Sequence, residues 1–74
     1  MNQEKINLTV EMPLTGFDAL ALRRLSGLVA RHTGLSFEQT PEDTLRFYLG
    51  ELLPHKAQDA AQFVAALCEA AKNT

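Results

Sequence analysis

The sequence predicts a mainly α-helical fold, in which a short N-terminal β-strand is followed by three amphipathic helices in a single domain over residues 1–74. One segment near the N-terminus alternates strictly between apolar and polar residues, and three later segments place apolar residues at helical intervals. A chain of 74 residues is also long enough for only one domain. We expect the strand over 5–12 and the helices over 16–32, 41–53 and 55–72.

The predicted strand has one apolar and one polar face, because alternate side chains of a strand point to opposite sides. The apolar face comprises Ile6, Leu8, Val10 and Met12, and the polar face comprises Lys5, Asn7, Thr9 and Glu11. Pro13 ends the segment. No second segment alternates in this way, so the backbone groups of the strand lack a partner within the chain. We therefore expect the strand to pair with the same strand of a second copy in a dimer.

The first predicted helix begins after Thr15, which suits an N-cap with Asp18 three residues later. It ends at Thr33-Gly34, because glycine tolerates the left-handed conformation that closes helices. Its apolar arc comprises Phe17, Ala21, Leu22, Leu25, Leu28 and Val29. The other side carries three arginines, Arg23, Arg24 and Arg31.

The second predicted helix begins at Thr40-Pro41, with threonine as cap and proline at the first helical position. Its apolar stripe comprises Leu45, Tyr48, Leu49 and Leu52. Pro54 either separates this helix from the third one or kinks a longer helix, and the sequence leaves both open. The stripe of the third helix comprises Ala60, Phe63, Val64, Leu67 and Ala71.

Composition limits the classes of function. The net charge of -2 gives no overall attraction to nucleic acid or anionic membrane, so any such binding needs a local patch.

The lone Cys68 excludes an intrachain disulfide, and the spacing of Cys68, His32 and His55 predicts no metal site. Oligomerisation is then the simplest aid to the stability of so small a domain. No apolar run approaches the length of a membrane span, and the N-terminus shows no basic region followed by an apolar region as in a signal peptide, so we expect a cytoplasmic protein.

Catalytic motifs are missing from the sequence. It contains no nucleophile elbow, zinc-protease, phosphate-loop or dinucleotide-binding pattern. Cys68 lies beside the apolar stripe of the last helix, which is typical of a packing residue. We therefore expect a protein that is not an enzyme and needs no cofactor.

The order of strand, capped helix, glycine-containing connection and Thr-Pro-capped helix carries a resemblance. Over residues 5–53 the chain resembles the ribbon-helix-helix family of DNA-binding proteins, the Arc and MetJ type repressors. The residues that carry it are the strand from Lys5 to Pro13, the helix ending near Thr33-Gly34, and the segment Thr44-Leu45-Arg46-Phe47-Tyr48-Leu49.

The resemblance implies a homodimeric transcription regulator whose paired strands enter the major groove of double-stranded DNA. It would place Lys5, Asn7 and Thr9 against base edges, where lysine suits guanine and asparagine suits adenine. It would also place a phosphate at the start of the second helix, near Thr40. Arg23, Arg24 and Arg31 would add phosphate contacts, although a solvated helix face is the simpler explanation of these arginines.

A second hypothesis is a protein-interaction module, either an adaptor or an inhibitor, that binds no nucleic acid. Such a module would add its strand to a partner's sheet or dock a helix in a partner's groove. The acidic balance of the chain favours it, as do Glu42 and Asp43 beside the expected phosphate position. A helix-rich monomer with the strand as a loose arm is a third structural possibility.

Overall fold

Three antiparallel strands and two α-helices make up the fold, in the order β-α-β-β-α, in the residues 4–73 that the computed structural model describes. The prediction of a mainly α-helical fold with three helices is wrong, and the fold belongs to the α+β class. Neither helix of the described part of the chain is long and apolar enough to cross a membrane.

Strand β1 runs from Ile6 to Pro13, close to the strand predicted over 5–12. Its alternation has the expected consequence for burial, since Leu8, Val10 and Met12 are partly buried while the polar residues between them are exposed. The expectation that β1 has no partner within the chain is wrong, because β3 pairs with it.

Helix α1 runs from Ala19 to Ala30, inside the predicted range of 16–32. Its N-cap is Asp18, whose side chain accepts a hydrogen bond of 2.8 Å from the backbone N–H of Ala21. Thr15 lies further back, in a turn where Gly16 has a φ of +90°. That left-handed residue keeps the backbone out of the helical conformation, and so the helix begins later than the sequence predicts.

A β-hairpin replaces the helix predicted over 41–53. Strand β2 spans Ser36–Gln39 and β3 spans Thr44–Leu52, and the two pair antiparallel. The Thr40-Pro41 signal starts the turn between them, where the N–H of Asp43 donates to the carbonyl of Thr40 at 3.2 Å. The fixed φ of proline suits the second position of a β-turn as well as it suits a first helical turn, which explains the wrong prediction.

Helix α2 spans Ala57–Lys72 and largely coincides with the helix predicted over 55–72. Pro54 opens a single 3-10 turn, Pro54–Lys56, that leads from β3 into α2. Proline fits there because the first residues of a helix need no N–H donor. Pro54 therefore neither kinks a helix nor separates two helices.

The sheet has the strand order β1-β3-β2, so α1 connects two parallel edge strands across the central β3. This arrangement is a split β-α-β unit. Both helices pack on one face of the sheet, α1 nearer β2 and α2 nearer β1. They run antiparallel, since Arg24 contacts Ala71 and His32 contacts Phe63.

The core lies between the sheet and the two helices. Phe47 and Leu45 of β3 are fully buried at its centre, and Phe37 of β2 stacks on Phe47 with ring centroids 5.3 Å apart. The buried residues of the core cluster are Leu25, Val29, Leu45, Phe47, Val64, Leu67, Cys68 and Ala71. The opposite face of the sheet carries most of the polar residues of the three strands and is open to solvent.

A bulge divides the β1-β3 ladder. Asn7 pairs with Glu51 and Thr9 pairs with Tyr48, so Leu8 faces two residues of β3, Leu49 and Gly50. Gly50 has a φ of +74°, a conformation that is costly for residues with a side chain. Because the extra residue lies in β3, Glu51 falls opposite Asn7 on the polar face of the sheet and Leu52 falls opposite Ile6 on the apolar face.

Candidate functional site

The outer edge of β1 is the candidate functional site. The sheet order places β3 on one side of β1 and no strand of the described residues on the other. The edge is eight residues long, whereas β2 at the opposite side of the sheet has four. An unpaired edge of this length is a template for another strand.

The hydrogen bonds at the end of β1 identify which residues face outward. The N–H of Leu14 donates to the carbonyl of Asp43 at 3.1 Å, which continues the β1-β3 register by one residue. Both backbone groups of one residue point to the same side of an antiparallel strand, and the side alternates along the strand. Val10 and Met12 therefore direct their backbone groups to β3, and Thr9 and Glu11 direct theirs outward.

Pro13 lies at the next outward position. Because it has no N–H, proline costs a strand nothing at an edge position, but it prevents a further ladder from extending past it. The part of the edge that offers both donors and acceptors therefore ends at Glu11 and extends back through Thr9 and Asn7.

The apolar side of β1 is less well covered than that of the central strand. Leu8, Val10 and Met12 are only partly buried, while Leu45 and Phe47 of β3 are fully buried. Ile6 at the start of β1 has 40% of its surface exposed. A strand added beside β1 would cover these side chains and extend the core.

The open face of the sheet holds a network of charged and hydroxyl side chains centred on Arg46. Its Nε donates to Glu11 Oε2 at 3.2 Å, and its Nη1 lies 3.7 Å from Glu38 Oε2. Thr44 Oγ1 donates to the other oxygen of Glu11 at 3.1 Å, and Tyr48 donates to Glu38 at 2.6 Å. The network thus links all three strands through side chains.

Arg46 stays positively charged in this network. Hydrogen bonds with Tyr48 and with Glu11 raise the pKa of its guanidinium above the ordinary value. Because Arg46 and Glu11 are both well exposed, solvent screens their ion pair and it contributes little to stability. The main effect of the pair is to fix the position of Glu11 at the edge of the sheet.

Three of the residues predicted to contact DNA lie on or beside β1. Asn7 and Thr9 are exposed on the polar side of the strand, and Lys5 immediately precedes it. The structure brings these three together, with Glu11 beside them.

The predicted arginines lie elsewhere. Arg23 is exposed on the side of α1 opposite to its buried residue Leu25, and Arg31 is exposed at the C-cap of α1, so the sheet separates both from the polar side of β1. Arg24 donates through Nη1 to the carbonyl of Ala71 at 2.7 Å and so caps the last turn of α2. The structure therefore does not bring the arginines together with Asn7 and Thr9.

Thr40, predicted to hold a phosphate at a helix N-terminus, is buried in the β2-β3 turn. Its hydroxyl lies 2.7 Å from that of Thr44, and the N–H groups of Glu42 and Thr44 point to it at 3.3 Å. No helix follows Thr40, so the expectation of a phosphate site at a helix N-terminus there is corrected: the residue stabilises a turn.

Cys68 is buried in the core, and burial raises the pKa of its thiol. In residues 4–73 the structure has no pocket and no cluster of side chains with metal-ligand geometry. The unpaired edge of β1 is therefore the candidate binding site.

Sequence reasoning missed the role of Glu11 and the whole of β3. The signal for β3 was present, because Leu45, Phe47 and Leu49 alternate with Thr44, Arg46 and Tyr48 as the faces of a strand do. Once β3 is recognised, β1 has one paired edge and one free edge.

The chain matches no family model, no curated protein and no solved structure.

Proposed function

We propose that the protein is a small interaction module without enzymatic activity, which binds a protein partner by strand addition along the outer edge of β1. In this mode of recognition, backbone hydrogen bonds supply affinity and alternate side chains supply specificity. The observation that carries the proposal is the outward direction of the backbone groups of Thr9 and Glu11. They lie on a strand whose other edge is hydrogen-bonded to β3.

The chemistry of the edge supports a protein partner. Natural edge strands are commonly protected by shortness, by proline or by charged side chains pointing inward. β1 has proline only at its end, and its inward side chains are apolar. The part from Asn7 to Glu11 thus remains competent to pair.

The DNA-binding regulator implied by the sequence resemblance stays a prediction. We rank it second because its expected contacts divide between the two faces of the sheet, and because Glu11 and Glu51 lie near Asn7 on the strand ladder. Like charges near DNA phosphates weaken binding. If it were correct, a pool of short DNA duplexes would bind at low salt and dissociate steeply as salt rises.

The test is proline substitution at an outward position. In Thr9→Pro the lost N–H makes no bond to β3, so the fold should survive while the outer ladder is interrupted. We would measure binding of the variant and the natural chain to an array of eight-residue peptides that alternate β-branched and charged residues. The proposal expects a subset of peptides to bind the natural chain and the variant to lose them.

The matched control is Gln39→Pro, which places proline on β2, at the other edge of the sheet. Thr40 donates its N–H to Thr44, so its neighbour Gln39 directs its own N–H away from β3. This variant should bind peptides like the natural chain. Equal binding by Thr9→Pro, or the absence of any bound peptide at concentrations where the chain is monomeric, would overturn the proposal. Circular dichroism of both variants establishes that they are folded.

We further propose that the module works in the cytoplasm. A free cysteine buried in the core is typical of a reducing compartment, where thiols stay unpaired.

A further inference from the structure

We infer that the strand bound by the outer edge of β1 is β1 of a second copy, running antiparallel about a two-fold axis at Leu8. This inference rests on the proposed function, because it names the partner of the same edge. Two copies would then share one continuous six-stranded sheet, with all helices on one side.

The outward backbone groups limit the possible registers. In an antiparallel pair the residues that exchange hydrogen bonds face each other, so outward residues of one copy must oppose outward residues of the other. The outward residues are the odd-numbered ones, including Thr9 and Glu11. An axis at Leu8 satisfies this condition, because it pairs Asn7 with Thr9 of the second copy and Lys5 with Glu11 of the second copy.

Charge complementarity selects the axis at Leu8. It places the cation of Lys5 opposite Glu11 of the second copy, and by symmetry this pair occurs twice. An axis at Thr9 would oppose Lys5 to Pro13, which has no N–H, and an axis at Asn7 would oppose Lys5 to Thr9. Only the axis at Leu8 gives the lysine an acidic partner across the interface.

Glu11 is positioned to accept this lysine. Its carboxylate is held by Arg46 and Thr44 from the β3 side, at 3.2 and 3.1 Å, and its side chain is still 49% exposed. A carboxylate has about four acceptor sites, so two of them remain for a second cation. Lys5 of the second copy would approach from the free side.

The apolar side chains of β1 fit the same register. Ile6 would face Val10 of the second copy, and Leu8 would face its own equivalent on the axis. These are the side chains that the described chain leaves partly exposed, with Ile6 at 40%. Pairing apolar residues directly across strands stabilises a ladder.

Helix α2 leaves room for this assembly. Ala61 and Ala65 lie about 160° around the helix from Phe63, which contacts α1, so they occupy the flank towards the β1 edge. Because α2 contacts both β1 and β3, it lies about half a strand spacing inside the β1 edge. With adjacent strands about 4.8 Å apart, the two copies of α2 would be separated by about two strand spacings, or about 10 Å. This is a normal distance between packed helices, and alanine side chains permit it.

The experiment is disulfide mapping in a Cys68→Ser background with a glutathione redox buffer as oxidant. Leu8→Cys places two thiols across the axis at a pair whose Cα atoms would be about 4.5 Å apart, within disulfide range. Val10→Cys is the matched control on the same side of the strand, with Cα atoms about 14 Å apart in this register. We expect Leu8→Cys to form covalent dimers at least about tenfold faster than Val10→Cys or Thr9→Cys.

A charge-reversal variant provides a second measurement that needs no cysteine. Lys5→Glu should weaken the dimer at least about tenfold in sedimentation equilibrium, because it replaces two attractive pairs by two repulsive ones. Arg23→Glu reverses an exposed cation of α1, across the sheet from the polar side of β1, and should leave the dimer unchanged.

The outcomes separate the inference from the proposed function. A monomer at all concentrations that still binds peptides in a Thr9→Pro-sensitive manner would overturn self-pairing and keep the strand-addition module. Cross-linking that is fastest at Thr9 or Val10 would overturn the register. A monomer that binds no peptide would overturn both.

Discussion

Asp18 fixes the start of α1 through one hydrogen bond from its carboxylate to the N–H of Ala21. Asp18→Ala should lower the free energy of unfolding by about 1 kcal/mol, because the first turn loses its cap. Thr15→Ala, at the cap position that the sequence predicts, should change it by less than about 0.5 kcal/mol. Urea denaturation of both variants measures the difference, and a larger effect at Thr15 would contradict the assignment of the cap.

Phe47 stands at the centre of the core, fully buried and stacked on Phe37. Phe47→Ala should cost about 3 to 5 kcal/mol of stability, from lost burial and the cavity left behind. Phe63, 41% exposed with an edge contact to His32, offers the same substitution at the surface, and Phe63→Ala should cost about 1 kcal/mol or less. Equal costs in urea titrations would refute the arrangement of β3 in the core.

Burial of Cys68 gives stability a dependence on alkaline pH. Because burial raises the pKa of the folded thiol, the folded chain keeps a proton that the unfolded chain loses as pH rises past the ordinary thiol pKa. The contribution is complete below that value and is lost as pH rises towards the folded pKa. Free thiols ionise between about pH 8 and 10. Over this range the free energy of unfolding should fall less in Cys68→Ala than in the natural chain. Identical slopes in paired denaturation series would contradict burial of the thiol.

At the level of elements, two glycines have opposite roles. Gly27 lies in α1 with no atom within 4 Å of an added Cβ, so Gly27→Ala should raise stability by about 0.5 to 1 kcal/mol. Gly50 forms the bulge of β3 at a φ of +74°, so Gly50→Ala should lower stability by about 1 to 2 kcal/mol. Thermal unfolding of the pair tests this, and a stabilising Gly50→Ala would show that β3 has no left-handed residue there.

The elements also show how much the sequence could predict. β1 and the two helices could be predicted from the sequence, because each has a clear apolar period and a local start or stop signal. β3 was not recognised because Leu45, Leu49 and Leu52 also fit a helical stripe, and Thr40-Pro41 suits a turn and a helix start alike. A tertiary contact favours the hairpin over the helix, because Phe37 and Phe47 stack on each other only in the hairpin.

At the scale of the whole molecule, pairing of β1 within the chain changes the candidate site. The alternation of β1 identified Asn7 and Thr9 as one exposed row, but no local pattern could show that β3 would occupy one edge and leave the other. Nor could the sequence place Arg23 and Asn7 on opposite sides of the sheet, because that depends on where α1 packs. Which edge of β1 stays unpaired depends on the order of the strands in the sheet.

The most direct test of the β1 edge as a binding surface is amide hydrogen exchange followed by NMR. In dilute protein we predict that Val10 and Met12 exchange slowly and that Thr9 and Glu11 exchange rapidly. At high protein concentration, or with a bound peptide, Thr9 and Glu11 should also become slow, while the amides of β2 stay unchanged. Rapid exchange at Thr9 and Glu11 under all these conditions would contradict the account, because no strand would then be added at the edge.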